Sequence, residues 1–62
     1  MYSREIIVAL QRAGWRLVRV KGSHHVFRDP AHPFPVVVPH PRRDLPTGLV
    51  RALERQTGLR LR

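Results

Sequence analysis

The stretch Lys21-Gly22-Ser23-His24-His25-Val26-Phe27 does most to limit what this chain can fold into. It joins two segments that alternate as strands do, and it carries the only turn chemistry between them. Gly22 permits a positive φ, or a close backbone approach, that any side chain would hinder. Ser23 is suited to hydrogen-bond neighbouring backbone groups and so help hold the turn. A two-residue connection implies an antiparallel hairpin. Successive strand side chains point to opposite faces, so His24 and His25 belong to different environments. Any chemistry this chain performs is to be sought at one of those two rings.

Working outward from the turn, the alternation over Trp15–Lys21 puts Arg16, Val18 and Val20 on one face. Trp15, Leu17, Arg19 and Lys21 fall on the other. The valine face is expected in the core. The second face is expected to meet solvent or a partner, with Trp15 and Leu17 adding apolar area. In the following strand Phe27 seeks the core, which leaves His24, Val26 and Arg28 on the open side and turns His25 inward.

The flanks read as two helices and a third strand. Residues 3–13 carry Ser3 as N-cap, Glu5 in the first turn and Gly14 just past the end. Ile6, Ile7, Leu10 and Ala13 form the apolar stripe, and Tyr2 is placed to staple onto Ile7. The segment Asp29–Pro35 holds three prolines, which bar a ladder in mid-sheet. Pro35–Val38 is a short strand ended by Pro39-His40-Pro41. A second helix starts near Pro46, buries Leu45, Leu49, Ala52, Leu53 and Gln56, and stops at Gly58 with Leu59 in contact. The tail around Leu61 is expected to fray. The class is therefore α+β, in the order α-β-β-β-α. Two helices cover one face of a three-stranded antiparallel sheet and leave the other face open.

Net charge then narrows the partners. Eleven arginines and one lysine face four acidic residues, giving +8 on 62 residues. That excess suits a polyanion, either nucleic acid or an acidic protein. Biased coding would explain arginine over lysine, but not the shortage of acids. The absence of cysteine removes disulfides and thiolate metal sites and is compatible with a reducing cytoplasm. No apolar run reaches the length of a membrane span, and no signal-peptide pattern appears. A soluble, cytoplasmic protein without membrane contact is expected.

Four motifs then converge on one family. Ala13-Gly14-Trp15, Val20 to Phe27, Val38-Pro39-His40-Pro41 and Leu45-Pro46-Thr47-Gly48 together resemble the HicA toxins, in the family's order, from about Glu5 to Leu59. The resemblance implies one HicA-like domain over 1–62 with a fold like the double-stranded RNA-binding domain. It also implies an mRNA interferase, an endoribonuclease neutralised by a HicB antitoxin. The family's Gly-x-His motif falls on Gly22 and His24, making His24 the implied catalytic residue. The proline-rich Asp29–Pro35 loop and the short tail depart from the pattern without touching the motif.

RNA scission needs a base for the 2′-hydroxyl proton and an acid for the 5′-oxygen, and an imidazole can serve as either. The 2′-hydroxyl is an internal nucleophile, so no metal or small-molecule cofactor is called for. Gly22 and Ser23 support the turn. Lys21, Arg19 and Arg28 are candidates to stabilise charge on phosphate oxygens, unless they form a merely solvated face. Arg42 and Arg43 resemble a phosphate-contacting pair before the second helix, whose N-terminus also favours anions. His40 is either a phosphate contact or a rigid loop residue. His25 reads as structural and His32 as loop decoration. A zinc site is not expected, because adjacent strand histidines diverge and no HxxxH spacing is present. The main alternative is a non-catalytic RNA-binding module, since the implied fold also binds duplex RNA without cutting it. DNA recognition by a helix pair finds no support. An acidic partner is expected to cover the face bearing Trp15, Leu17, Arg19 and Lys21 and to block His24.

Overall fold

Phe27 sits fully buried in the middle strand of the sheet, and the neighbouring strands take their facing from it. The computed structural model describes residues 1–62 as α1 (Ser3–Arg12), β1 (Arg16–Lys21), β2 (His24–Arg28), β3 (Val36–Pro39) and α2 (Thr47–Thr57). The strands lie in the order β1-β2-β3, both pairings antiparallel. This is the α+β order expected from the sequence. No helix is long and apolar enough to cross a membrane.

On one face of the sheet, Phe27 lies opposite Val36, and His25 lies opposite Val38. Ile6 and Leu10 of α1, with Val50 and Leu53 of α2, close over Phe27, Val36 and Val38 to form the core. Val26 points the other way, between Arg19 and Val37. It is buried by these neighbours yet lies outside the core cluster, as expected for a residue on the uncovered face.

The reading of β1 needs correction. Leu17 pairs with Phe27 but Arg19 pairs with Val26, so Val18 is an extra residue in a β-bulge. A bulge resets the alternation, because two residues then oppose one. Leu17 and Val20 consequently fall on the helix side, and Arg19 and Lys21 on the open side. Val18 and Val20 are not core residues; they are 54% and 51% exposed. The helices pack on β3 rather than on β1, which leaves the edge strand exposed along its whole length.

Trp15 lies just before β1 and joins the core at 2% exposure, instead of the open face. His32 stacks on its ring with centroids 4.7 Å apart, and His32 Nδ1 lies 2.9 Å from Asp29 Oδ2. His32 is thus a half-buried residue packed on the core through Trp15, rather than loop decoration.

The helix ends differ in detail as well. Tyr2 is the cap of α1, with its N–H donating to Glu5 Oε1 at 2.8 Å, while Ser3 is the first helical residue. Val50 is buried in α2, whereas Gln56 and Ala13 are exposed. The tail does not fray at Leu61. That residue is 6% exposed in the core, and its N–H donates to Glu54 Oε2 at 2.8 Å. This bond, aided by the amide and charge of Arg62 and by Arg51, lowers the Glu54 pKa, against a smaller opposing effect of desolvation.

Only 13 of 62 residues are buried, so no single core side chain is dispensable. Leu61→Ala should cost about 2–4 kcal/mol in urea denaturation, the usual range for a buried leucine; a frayed residue would cost almost nothing. Because folding lowers the Glu54 pKa, its contribution is present above the unfolded-state pKa and is lost as pH falls through the folded one. Glu54→Gln should flatten the acid side of the stability–pH curve.

Candidate functional site

Gly22 and Ser23 form the two-residue loop between the paired residues Lys21 and His24. Gly22 has φ of 59°, and no other residue but glycine in the chain takes a positive φ. That matches a type II′ hairpin, which needs glycine at the first loop position. A Cβ there would meet nothing within 4 Å, so backbone conformation, not space, demands the glycine. Ser23 contributes through its carbonyl, which accepts the backbone N–H of His40 at 2.7 Å. The turn is thereby tied to the segment leaving β3.

From this turn the two histidines part. His24 stands exposed on the open face, with Lys21 opposite on β1 and Pro39 opposite on β3. Directly opposed side chains lie about 5 Å apart at Cβ. One row along are Arg19, Val26 and Val37, and at the far end Arg16 lies opposite Arg28. The Arg28 guanidinium also reaches the Pro33 carbonyl at 3.4 Å. The open face thus presents His24 in a field of Lys21, Arg19, Arg16 and Arg28, around an apolar centre of Val26 and Val37.

His25 goes to the helix side and is half-buried. Its ring meets that of His40 edge-on, with centroids 4.9 Å apart. His40 Nδ1 lies 2.6 Å from Oγ of Ser3, a residue only 1% exposed. The Arg42 N–H donates to the same Oγ at 2.8 Å, and the Ser3 N–H donates to the Arg42 carbonyl at 2.9 Å. With Arg42 donating to it, the hydroxyl has its own proton free for His40 Nδ1, although the Arg42 carbonyl at 3.2 Å also accepts. This network fastens the start of α1 to the segment after β3, behind the turn that carries His24.

Arg42 and Arg43 lie just before α2, as the sequence places them. Their segment pairs with the start of α1, and with His40 they line a crevice there, off the open strand face. Tyr2, Ser3, Arg4 and Pro41 complete its lining, and its volume is about 320 Å³. Tyr2 and Arg4 were missed by the sequence reading. They come to the crevice through bonds between residues 39 positions apart, for which no local pattern gives a signal. The partner face also changes: Trp15 is buried and Leu17 lies on the helix side, so Arg19 and Lys21 remain of the four residues expected there.

The four carboxylates explain the strength of the positive field. Glu5 accepts from Tyr2, Asp29 from His32, Asp44 lies 3.3 Å from the Met1 amine, and Glu54 accepts from Leu61. None forms a direct ion pair with an arginine or with Lys21, although Glu54 feels the charges of Arg62 and Arg51.

Fold and site together define a small, basic α+β protein with one histidine displayed on an uncovered sheet. The family described as HicA toxin of bacterial toxin-antitoxin matches residues 3–59, and the chain belongs to it. The Gly22-Ser23-His24 turn and the crevice segment 40–43 both lie inside that match. No curated protein sequence matches significantly.

Removing the Ser3 hydroxyl would leave the Arg42 amide and the His40 ring without their partner. Ser3→Ala should therefore destabilise the fold by about 1–3 kcal/mol, the cost of unsatisfied buried polar groups. Chemical denaturation reads this directly, and an unchanged midpoint would mean that solvent replaces the bond.

Proposed function

We propose that this HicA family member is an endoribonuclease toxin that cleaves mRNA in the cytoplasm without a metal, as one domain over residues 1–62. The reading is carried by one observation: His24 is exposed on the open face, beside Lys21 and among arginines that no acid holds in a direct ion pair. A long, flexible polyanion can reach a histidine on an open sheet, and the substrate brings its own nucleophile.

In the proposed reaction the 2′-hydroxyl oxygen attacks the adjacent phosphorus and the bond from phosphorus to the 5′-oxygen breaks. A 2′,3′-cyclic phosphate and a 5′-hydroxyl end result. His24 moves a proton, either from the attacking 2′-hydroxyl or to the departing 5′-oxygen. Lys21 and Arg19 share its face and stabilise negative charge building on the non-bridging oxygens. Arg28 extends the same face toward the flanking backbone. Gly22 and Ser23 hold the turn. His25, turned toward His40, takes no part in proton transfer.

The antitoxin of the pair is proposed to be an acidic HicB protein that covers this face. An apolar centre rimmed by like charge suits a partner of opposite charge, and Val37 is 40% exposed between the basic rows.

Two measurements test the reading. His24→Ala should lower the RNA cleavage rate by about 100-fold or more, a typical general acid–base contribution. Its thermal melt should stay at the parent value, since the ring fills no cavity. A folded, fully active His24→Ala protein would remove the catalytic assignment, and cleavage abolished by a chelator would remove the metal-free mechanism. If neither parent nor variant cleaves but both bind RNA, the protein is a binding module. In either case affinity should fall steeply with salt, because each neutralised phosphate releases counterions.

A further inference from the structure

We infer that the crevice at the start of α1 is a second subsite for single-stranded RNA, in which Arg4, Arg42 and Arg43 hold a phosphate and Tyr2 stacks a base. This rests on the reading of RNA as the ligand and adds a place where the strand continues beyond His24.

Three arginines and His40 line the same open crevice, and no acidic side chain lines it. Two acids adjoin it in sequence: Glu5 is bonded to the Tyr2 N–H, and Asp44, next to Arg43, lies 3.3 Å from the Met1 amine. The amides at the start of α1 contribute little here. Those of Tyr2 and Ser3 already donate to Glu5 and to the Arg42 carbonyl, so side chains must do the binding. Tyr2 adds a second kind of contact. It is 53% exposed at the crevice edge, where an aromatic ring gains nothing from the core. A basic groove with an exposed aromatic beside it is the usual equipment for single strands, since every base has a face to stack.

Chain connectivity links the crevice to His24. Pro39 lies opposite His24 in the sheet, and His40-Pro41-Arg42-Arg43 runs from there into the crevice wall. Four residues span at most about 14 Å, so a strand crossing His24 reaches the arginines within a few nucleotides. His40, bonded to Ser23 and to Ser3, fixes the corner between the two.

The test uses 2′-O-methyl oligoribonucleotides, which lack the attacking hydroxyl and so report binding whatever the fate of the cleavage reading. Affinity is measured by fluorescence anisotropy for a dinucleotide and for longer oligomers. The parent should gain affinity with length. Tyr2→Ala, and separately the pair Arg4→Gln with Arg43→Gln, should each cut that gain by about tenfold, as expected for one stacked base or a few phosphate contacts. The pair Arg12→Gln with Arg55→Gln removes the same charge from helix positions outside the crevice and should keep the gain. An equal loss in this control would overturn the subsite in favour of a general field. Parent-like gain in both crevice variants would overturn it while leaving RNA binding intact. A parent that binds no oligomer overturns the RNA reading and the subsite together. Loss of binding to an acidic antitoxin, with RNA binding unchanged, would assign the crevice to that protein instead.

Discussion

Burying Phe27 in the central strand fixes the facing of everything around it. A strand has a side-chain period of two, so a slip of one residue would exchange its faces. With Phe27 inside, His25 must turn toward the helices, and Val26, His24 and Arg28 must turn away. β3 follows through Val36 and Val38, which lie opposite Phe27 and His25. The position of His24 is thus a consequence of core packing three residues along the chain. The tight glycine turn adds that His24 emerges at the sheet's end, next to Lys21.

A second constraint is electrostatic. A chain of +8 must accommodate its own repulsion, and ion pairing with its few acids would be the obvious way. The structure instead uses each acid to secure an amide, an amine or a histidine at a chain end or loop. Exposed ion pairs contribute little stability, so forgoing them is inexpensive. The result is a positive surface in which no arginine or lysine is held in a direct ion pair. Repulsion that is tolerable in the free protein becomes a source of affinity and salt dependence when a polyanion binds.

Much of this was legible in the sequence, and the failures have physical causes. Element order, the hairpin and the opposite facing of His24 and His25 followed from local patterns, because turn chemistry and alternation act over a few residues. The facing of Trp15, Arg16 and Leu17 did not, nor did the exposure of Val18 and Val20. One bulged residue between Leu17 and Arg19 shifts the alternation, and nothing in Arg16-Leu17-Val18-Arg19 distinguishes a bulge from a regular strand. Trp15 was misplaced for a related reason: it precedes the strand, so strand alternation does not govern it. His32, Leu61 and the contact of Arg42 with the start of α1 share another cause. Each is defined by a tertiary contact, with Trp15, Glu54 and Ser3 respectively, that leaves no trace in its own neighbourhood. Arg19, Lys21 and Arg28 were placed correctly on the open face because the bulge lies before Arg19 and β2 is regular.

The two adjacent histidines illustrate how a small core serves two tasks from one turn. His24 gains access to large ligands by facing an uncovered sheet, where nothing but the turn and the strand holds it. A residue so exposed needs its backbone fixed from behind. His40 does this by donating its amide to Ser23 while its ring is bonded to buried Ser3 and meets His25 edge-on. The rigidity of the open side therefore comes from polar contacts on the covered side. Under the proposed function this separates two demands that conflict in one place. The proton-transferring ring must remain accessible, whereas the groups orienting it must be packed and fully bonded. Strand alternation meets both demands with consecutive residues, which allows a 62-residue chain to present a fixed functional group without building a deep pocket around it.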